Sequence, residues 1–154
     1  YFLHADSLPP WDFAQLICEA VAQGAQAGCF RLKFDHHHWF LNSHAFMTRF
    51  RCNSFRYGDQ SLFVTKSCFR LCGGYRDELL VMEDQEIVIR LQRFGSFWIL
   101  PKYVTTSARK YLQHGVFWTQ AVFTLIFFCY YLGLEQSLLR RLYRGLMSGE
   151  ARIS

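Results

Sequence analysis

The sequence predicts an α/β fold, because segments with helical periodicity alternate along the chain with short apolar segments typical of strands. Apolar side chains recur at the helical spacing i, i+3, i+4 and i+7 over residues 11–24, which predicts an amphipathic helix. Residues 27–34 alternate between basic and apolar side chains, as in a half-buried strand with a basic face. A clear helix over residues 83–94 is followed by a strand over residues 97–100, which Pro101 is expected to close.

The opening apolar triplet, residues 1–3, is expected to be the interior of a buried parallel strand that runs into the loop around Pro9. A parallel strand needs neighbours and no strand precedes this one, so we expect the chain to be a fragment whose N-terminal part is absent. Ser7 is expected to cap the following helix, and Gly24 to end it.

The middle of the chain predicts shorter elements. Residues 35–55 carry many aromatic side chains with a loose helical period. Residues 62–64 predict a short buried strand, and residues 65–72 a brief helix stopped by two glycines. Residues 103–109 predict one more extended segment.

The last third of the chain has a different character. Residues 116–134 contain no charged side chain over 19 positions, which is long enough to raise the question of a membrane. Leucines then alternate with Arg140, Arg141 and Arg144, which predicts an amphipathic basic helix suited to anionic lipid headgroups. Peripheral contact with a membrane surface is favoured over spanning, and a hydrophobic helical hairpin packed on its own domain is the alternative.

The length and composition of the chain limit the number of domains and the classes of protein it can belong to. A length of 154 residues corresponds to about one domain, and 51% hydrophobic residues exclude a disordered tail. Lys and Arg exceed Asp and Glu by 17 − 12 = 5, without any block of five like charges, so a nucleic-acid-binding arm is not indicated. The six cysteines are scattered and no signal peptide is apparent, which predicts reduced thiols in a cytoplasmic protein.

Two pairs of polar residues are candidates for chemistry. His4 and Asp6 follow the opening strand, where ligands of open α/β sheets bind, and a carboxylate there suits a metal-bound phosphate. Glu83 and Asp84 open the helix of residues 83–94, and an Asp in that position suits a general base toward an acceptor hydroxyl. The alternatives are a helix-capping Asp6 and two carboxylates that merely favour a helix start.

Two further segments carry polar side chains suited to a substrate. Asp59 and Gln60 follow Gly58 on a loop that leads into a predicted strand, although most such loops are simple turns. Arg109 follows the last extended segment, and its guanidinium is suited to hold a diphosphate leaving group. A solvated basic loop is the alternative for Arg109.

A zinc site is rejected. The three adjacent histidines, residues 36–38, cannot all face one ion from a regular element, and the usual Cys/His ligand spacing is missing. Cys68 and Cys72 have no partner pair, so we expect them to be core thiols.

Taken in order, these motifs resemble family 2 glycosyltransferases of the GT-A fold, most closely the subgroup associated with arsenosugar biosynthesis or selenodomains. Five segments carry the resemblance over nearly the whole chain: Leu3-His4-Ala5-Asp6-Ser7, Gly58-Asp59-Gln60-Ser61-Leu62-Phe63-Val64, Gly73-Gly74-Tyr75, Met82-Glu83-Asp84 and Thr106-Ser107-Ala108-Arg109-Lys110-Tyr111.

The resemblance implies an inverting transfer of a sugar from a nucleotide-diphospho-sugar to an acceptor hydroxyl. Asp6 matches the last acidic residue of the family's Asp-x-Asp element, which binds a divalent cation, Mg²⁺ or Mn²⁺, and the donor diphosphate. His4 stands where many relatives have the first Asp, and is expected to contribute a ligand. Asp84 matches the catalytic base of the Glu-Asp motif that Glu83 begins. Arg109 lies where the family often contacts the leaving diphosphate or the acceptor.

Within the same resemblance, Asp59 and Gln60 line the cleft for sugar and acceptor. Residues 1–111 then form the C-terminal portion of a GT-A catalytic domain, with the acceptor half and the metal edge. Residues 112–147 form a hydrophobic and amphipathic helical extension, and residues 148–154 a tail. The expected location is the cytoplasm, at the cytoplasmic face of a membrane.

Other functions stay open. The chain is alternatively a pseudo-transferase fragment or a non-catalytic module that binds a membrane surface. A metal-dependent hydrolase that uses Asp6 and Asp84 is a third class. The expected partners are a nucleotide-sugar donor, an unidentified acceptor and, through an unpaired sheet edge, a second copy of the chain.

Overall fold

The fold of the chain is mixed α/β in a computed structural model that describes residues 1–53, 56 and 58–148. The described residues form four strands and seven α-helices, with a 3₁₀ turn at Gly58–Gln60. The strands are β1 (Ser7–Leu8), β2 (Ala27–Phe34), β3 (Phe63–Val64) and β4 (Phe97–Thr106). The helices are α1 (Phe13–Ala22), α2 (Trp39–Met47), α3 (Lys66–Leu71), α4 (Glu83–Phe94), α5 (Arg109–His114), α6 (Val116–Tyr131) and α7 (Gln136–Met147).

The strands form one mixed sheet in the order β1-β4-β2-β3. β2 and β4 pair in parallel at its centre, while the two short outer strands pair antiparallel to them. Phe30 of β2 packs among apolar residues of α1, whereas Ala27 of the same strand packs among those of α3 and α4. Because alternate residues of a strand face opposite sides, helices cover the central strands on both faces.

The chain divides into two compact units. The first comprises residues 1–75 and 84–107 and contains the whole sheet with helices α1–α3 and most of α4. The second comprises residues 76–83 and 108–154, with α5, α6 and α7. The predicted tail, residues 148–154, lies outside the described residues apart from Ser148.

Several predicted elements are present. The helix predicted over residues 65–72 is α3, and the Thr65 side chain caps it by accepting a hydrogen bond from the backbone N–H of Cys68 at 3.3 Å. The helices predicted in the last third are α6 and α7. Part of the aromatic segment 35–55 forms α2, although Ser54 and Phe55 at its end lie outside the described residues.

The strand predicted over residues 1–3 is wrong. These residues are exposed, and Phe2 forms only an isolated antiparallel bridge with Leu62. The two aromatic rings instead pack against other rings of the first unit: Tyr1 stacks on Phe13 with centroids 5.0 Å apart, and Phe2 meets Tyr75 edge to face at 5.2 Å. A short apolar run is compatible with either arrangement, which is why periodicity alone misassigned it.

The predicted cap and the predicted strand end are also wrong. Ser7 does not cap α1 but lies in β1, where its hydroxyl donates to Thr106 Oγ1 at 3.0 Å. Pro101 does not close a strand, because β4 continues to Thr106 and α5 follows from Arg109. The register of β2 against β4 passes from Leu100 to Tyr103 across one step of β2, so Pro101 lies in a bulge where no ladder hydrogen bond is needed.

The six cysteines are free thiols, and those at positions 29, 68 and 72 are buried. Among the residues that the structure describes, no helix has both the length and the apolar character needed to cross a membrane.

Candidate active site

Three segments that are distant in sequence meet at one point of the first unit. Asp84 lies in the first turn of α4, His4 in the N-terminal segment, and Gly58 begins the 3₁₀ turn. His4 Nε2 lies 3.3 Å from Asp84 Oδ2, and the two side chains are 45% and 31% exposed. The contact is therefore a partly solvated hydrogen-bonded pair that a ligand can reach.

Gly58 permits this contact because it has no side chain. A Cβ atom built on Gly58 lies well inside contact distance of Asp84 Oδ2 and of His4 Nε2, so any other residue would push the two groups aside. Glycine here allows a close approach of the backbone rather than an unusual φ angle.

The surrounding carboxylates favour the protonated form of His4. The hydrogen bond to Asp84 is the largest effect and raises the pKa of the imidazole, partial burial lowers it, and the negative charges of Asp84, Asp59 and Asp6 raise it further. The net result is a His4 pKa above its ordinary value of 6.5. The imidazole is thus charged over more of the neutral range than a free histidine is.

The pair borders a small pocket with apolar walls. His4, Asp84, Gly58 and Ser61 supply its polar part, and the rest of the lining is Phe2, Leu3, Leu62, Tyr75 and Val88. The cavity measures about 100 Å³. Since pockets for whole drug-sized ligands measure about 300–1,000 Å³, this one has room for a reacting group rather than a complete nucleotide sugar.

Two residues near the site in sequence have strained backbone conformations, one shortly after Gly58 and one shortly before Asp84. Ser61 adopts φ 60° and Met82 adopts φ 65°, values that non-glycine residues rarely take. Ser61 follows the 3₁₀ turn, where its N–H donates to the Gly58 carbonyl at 2.9 Å, and Met82 lies two residues before Asp84. Such conformations cost about 1–3 kcal/mol each and cluster at functional sites.

The first turn of α4 is fixed by the residue after Asp84. The Gln85 side chain is buried, and its Nε2 donates to the carbonyls of Asn53 at 2.9 Å and Arg56 at 3.4 Å. These bonds hold the start of the helix to the segment that leads into the 3₁₀ turn. Asp84 therefore stands on an anchored turn.

The predicted site residues separate into distinct groups. His4 and Asp84 are in contact, while Asp59 and Asp6 are close enough to act on His4 through their charge. Gln60 is buried and engaged in the interior, where its Oε1 accepts from Arg56 Nη1 at 3.3 Å and its Nε2 donates to the Phe30 carbonyl at 3.4 Å.

Glu83 and Arg109 belong to the second unit. Glu83 is half-buried as the first residue of α4, and Arg109 is exposed as the first residue of α5. Their roles at the site remain predictions.

The residues do not fit a bound divalent cation as they lie. In the described part of the chain, no three His, Cys, Asp or Glu side chains come together in a group able to hold a metal ion. His4 directs Nε2 to Asp84 Oδ2 at 3.3 Å, so this nitrogen faces the carboxylate and does not point into an open ligand position. Dependence of the reaction on a divalent cation stays a prediction.

Sequence reasoning missed the apolar wall of the pocket. Phe2 and Leu3 are predicted as part of a strand, Tyr75 contributes to the resemblance but is not predicted as a site residue, and Val88 stands in no motif. For this wall the sequence offers no local signal; the glycine at position 58 indicates only that a close approach of the backbone is possible there.

Comparison of the chain with protein families, with curated proteins and with solved structures finds no match in any of the three.

Proposed function

We propose that this chain is an inverting glycosyltransferase, in which Asp84 takes up the proton of the acceptor hydroxyl. The order of the motifs along the chain supports the proposal. The observation that carries it is the 3.3 Å contact between Asp84 Oδ2 and His4 Nε2 beside an apolar pocket. A carboxylate held in one orientation next to a pocket with apolar walls is suited to general-base catalysis.

The reaction is a single displacement at the anomeric carbon of the donor sugar. The acceptor oxygen forms a bond to that carbon, its proton passes to Asp84, and the bond to the diphosphate oxygen breaks with both electrons leaving on the diphosphate. His4 holds Oδ2, which leaves Oδ1 as the oxygen that takes the proton. Arg109 is proposed, from the resemblance alone, to contact the leaving diphosphate.

His4 is proposed as a positioning residue. It fixes the carboxylate through one hydrogen bond, and its charge depends on pH. While the imidazole is protonated, its positive charge beside Asp84 opposes the transfer of a proton to Oδ1 of that carboxylate. Once the imidazole is neutral, Asp84 is free of that restraint, so transfer is expected to rise as pH passes the raised pKa of His4.

The size of the pocket supports the proposal that only part of the acceptor enters it. About 100 Å³ suffices for the hydroxyl and the neighbouring carbons of an acceptor. The rings of Phe2 and Tyr75, 5.2 Å apart, offer an apolar wall to that part of the substrate. The acceptor is thus proposed to insert only its reacting end.

The experiment is a screen of nucleotide sugars for release of nucleoside diphosphate, with and without Mg²⁺ or Mn²⁺, using the wild type and Asp84→Asn. Asp77→Asn is the matched control, because Asp77 is an exposed carboxylate in the segment that precedes α4. We expect Asp84→Asn to lose about 10²–10⁴-fold in turnover, the usual contribution of a general base, while Asp77→Asn keeps the wild-type rate.

Full activity in Asp84→Asn would refute the mechanism. Release of free sugar without any acceptor would point to the hydrolase. A folded wild type that binds no nucleotide sugar would favour the non-catalytic alternative.

A further inference from the structure

Helix α6 presents one continuous apolar face to the surroundings. At about 100° per residue, its outward residues fall within an arc of about 140°. They are exposed residues of α6 and of the position that follows it: Phe117, Trp118, Ala121, Thr124, Leu125, Phe128, Tyr131 and Leu132. We call these eight residues the α6 outer face. No member is charged, and only the Thr124 hydroxyl and two aromatic polar atoms interrupt its apolar surface.

The opposite side of α6 is apolar as well and already has a partner. Val122 and Ile126 are buried and pack with Leu142, Tyr143 and Met147 of α7. A helix that is apolar all round is typical of the interior of a bundle, with neighbours on both sides. Among the described residues of the second unit, α6 packs against α5 and α7 through the side opposite its outer face, and of the outer face the Trp118 indole N–H reaches α7 by donating to the Leu146 carbonyl at 3.3 Å.

The exposed area matches what a dimer needs. Six large side chains of the α6 outer face are exposed, and their exposed fraction ranges from 44% at Leu125 to 78% at Leu132. Since large apolar side chains bury about 150–250 Å² each, roughly half of that area gives about 600 Å² per copy. Two copies together would cover about 1,200 Å², the lower limit of a standard specific interface.

The distribution of charge favours a self-complementary contact on this face. In a twofold-symmetric interface the residues near the axis meet their own copies, so a charge there would face its like. Residues 116–134 hold no charged side chain. By contrast, Arg140, Arg141 and Arg144 lie on the exposed side of α7, where two copies would repel each other.

We propose that the α6 outer face is the interface of a homodimer, in which α6 of one copy packs against α6 of the second. A membrane surface is the less suitable occupant. A helix that lies in the lipid interface has basic residues along the border of its apolar face, and α6 has none. The arginines at positions 140, 141 and 144 are exposed but belong to α7.

The test is the mass of the protein in solution by sedimentation or light scattering, over a range of concentrations. The wild type is expected to reach twice the chain mass of 18.2 kDa. Phe128→Glu, in the middle of the face, is expected to be monomeric, since two carboxylates would be buried together. Leu71→Glu is the matched control: Leu71 is an equally exposed apolar residue on α3, and this variant is expected to remain dimeric.

A pair of variants keeps the test independent of folding defects. Leu125 lies midway along the length of the face, where a twofold axis through the centre of the proposed interface would bring it near its own copy. Leu125→Lys and Leu125→Glu are each expected to be monomeric alone and to form a heterodimer when mixed, because opposite charges then meet. Circular dichroism verifies that each variant is folded.

Three results would overturn the proposal. The first is a wild type that stays monomeric at about 100 μM, a concentration well above the micromolar Kd at the weak end of the range for standard-size interfaces. The second is a Phe128→Glu variant that remains dimeric. The third is a monomeric wild type that floats with vesicles of phosphatidylcholine and phosphatidylserine and loses flotation in Phe128→Glu, which would assign the face to a membrane.

Discussion

At the scale of single residues, Gly58 determines how closely His4 and Asp84 approach. The backbone of Gly58 fills the space beside both side chains, so the pair and the glycine form one arrangement. The sequence predicted a separate role for His4 and for Asp84. It did not predict their contact, because His4 and Asp84 are 84 − 4 = 80 positions apart and no local pattern links them.

Gly58→Ala tests this arrangement. The added methyl group is expected to separate His4 from Asp84, so the pKa of His4 falls toward its ordinary value of 6.5. Forcing an extra methyl into a packed site also lowers the free energy of unfolding by about 1–3 kcal/mol. NMR titration and urea unfolding measure the two effects. Gly145→Ala is the control, because no atom lies within 4 Å of a Cβ at that helical position.

His4 makes stability depend on pH in a defined direction. Its pKa is raised in the folded state, so the pair stabilises the fold fully below the unfolded value of about 6.5 and loses this contribution as pH rises through the folded value. In Asp84→Asn the largest cause of the shift is gone, and the pKa is expected to fall. NMR titration of the His4 ring in both proteins tests this, and identical titration curves would contradict it.

At the scale of elements, the clearest periodic segments were predicted well and the exceptions have physical causes. The helix at residues 83–94 carries an apolar stripe that buries Ile87 and Leu91, and its predicted bounds match α4. The predicted strand ended at Pro101, whereas β4 continues past it. The bulge that accommodates the proline depends on how β4 pairs with β2, which the sequence of β4 alone does not show. The triplet at residues 1–3 gave too short a pattern to distinguish a strand from an aromatic stack.

The anchoring of α4 gives a prediction about Gln85. Gln85→Met keeps the size of the side chain and removes both bonds to the carbonyls of Asn53 and Arg56, leaving buried acceptors without this donor. We expect the free energy of unfolding to fall by about 1–3 kcal/mol. Urea unfolding measures it, with Gln92→Met, at an exposed position of the same helix, as the control. Equal stability of the two variants would show that Gln85 does not anchor the helix.

At the scale of the whole molecule, the sequence predicted the α/β class and the separate character of the last third. Alternating periodicities indicate strands covered by helices, and an uncharged run such as residues 116–134 is visible by inspection. The order of the strands and the inclusion of residues 76–83 in the second unit were not predictable, since both follow from packing between distant segments. For the same reason the sequence indicated an apolar C-terminal helix but not which of its faces stays exposed.

The central claim is that Asp84, positioned by His4, takes up the acceptor proton. The most direct measurement is the pH dependence of sugar transfer in the wild type and in His4→Gln. In the wild type we expect the rate to rise as pH passes the His4 pKa, which lies above 6.5. In His4→Gln, which retains the carboxylate but has no imidazole to titrate, that rise is expected to disappear from this pH range. Superimposable pH profiles of the two proteins would contradict the account.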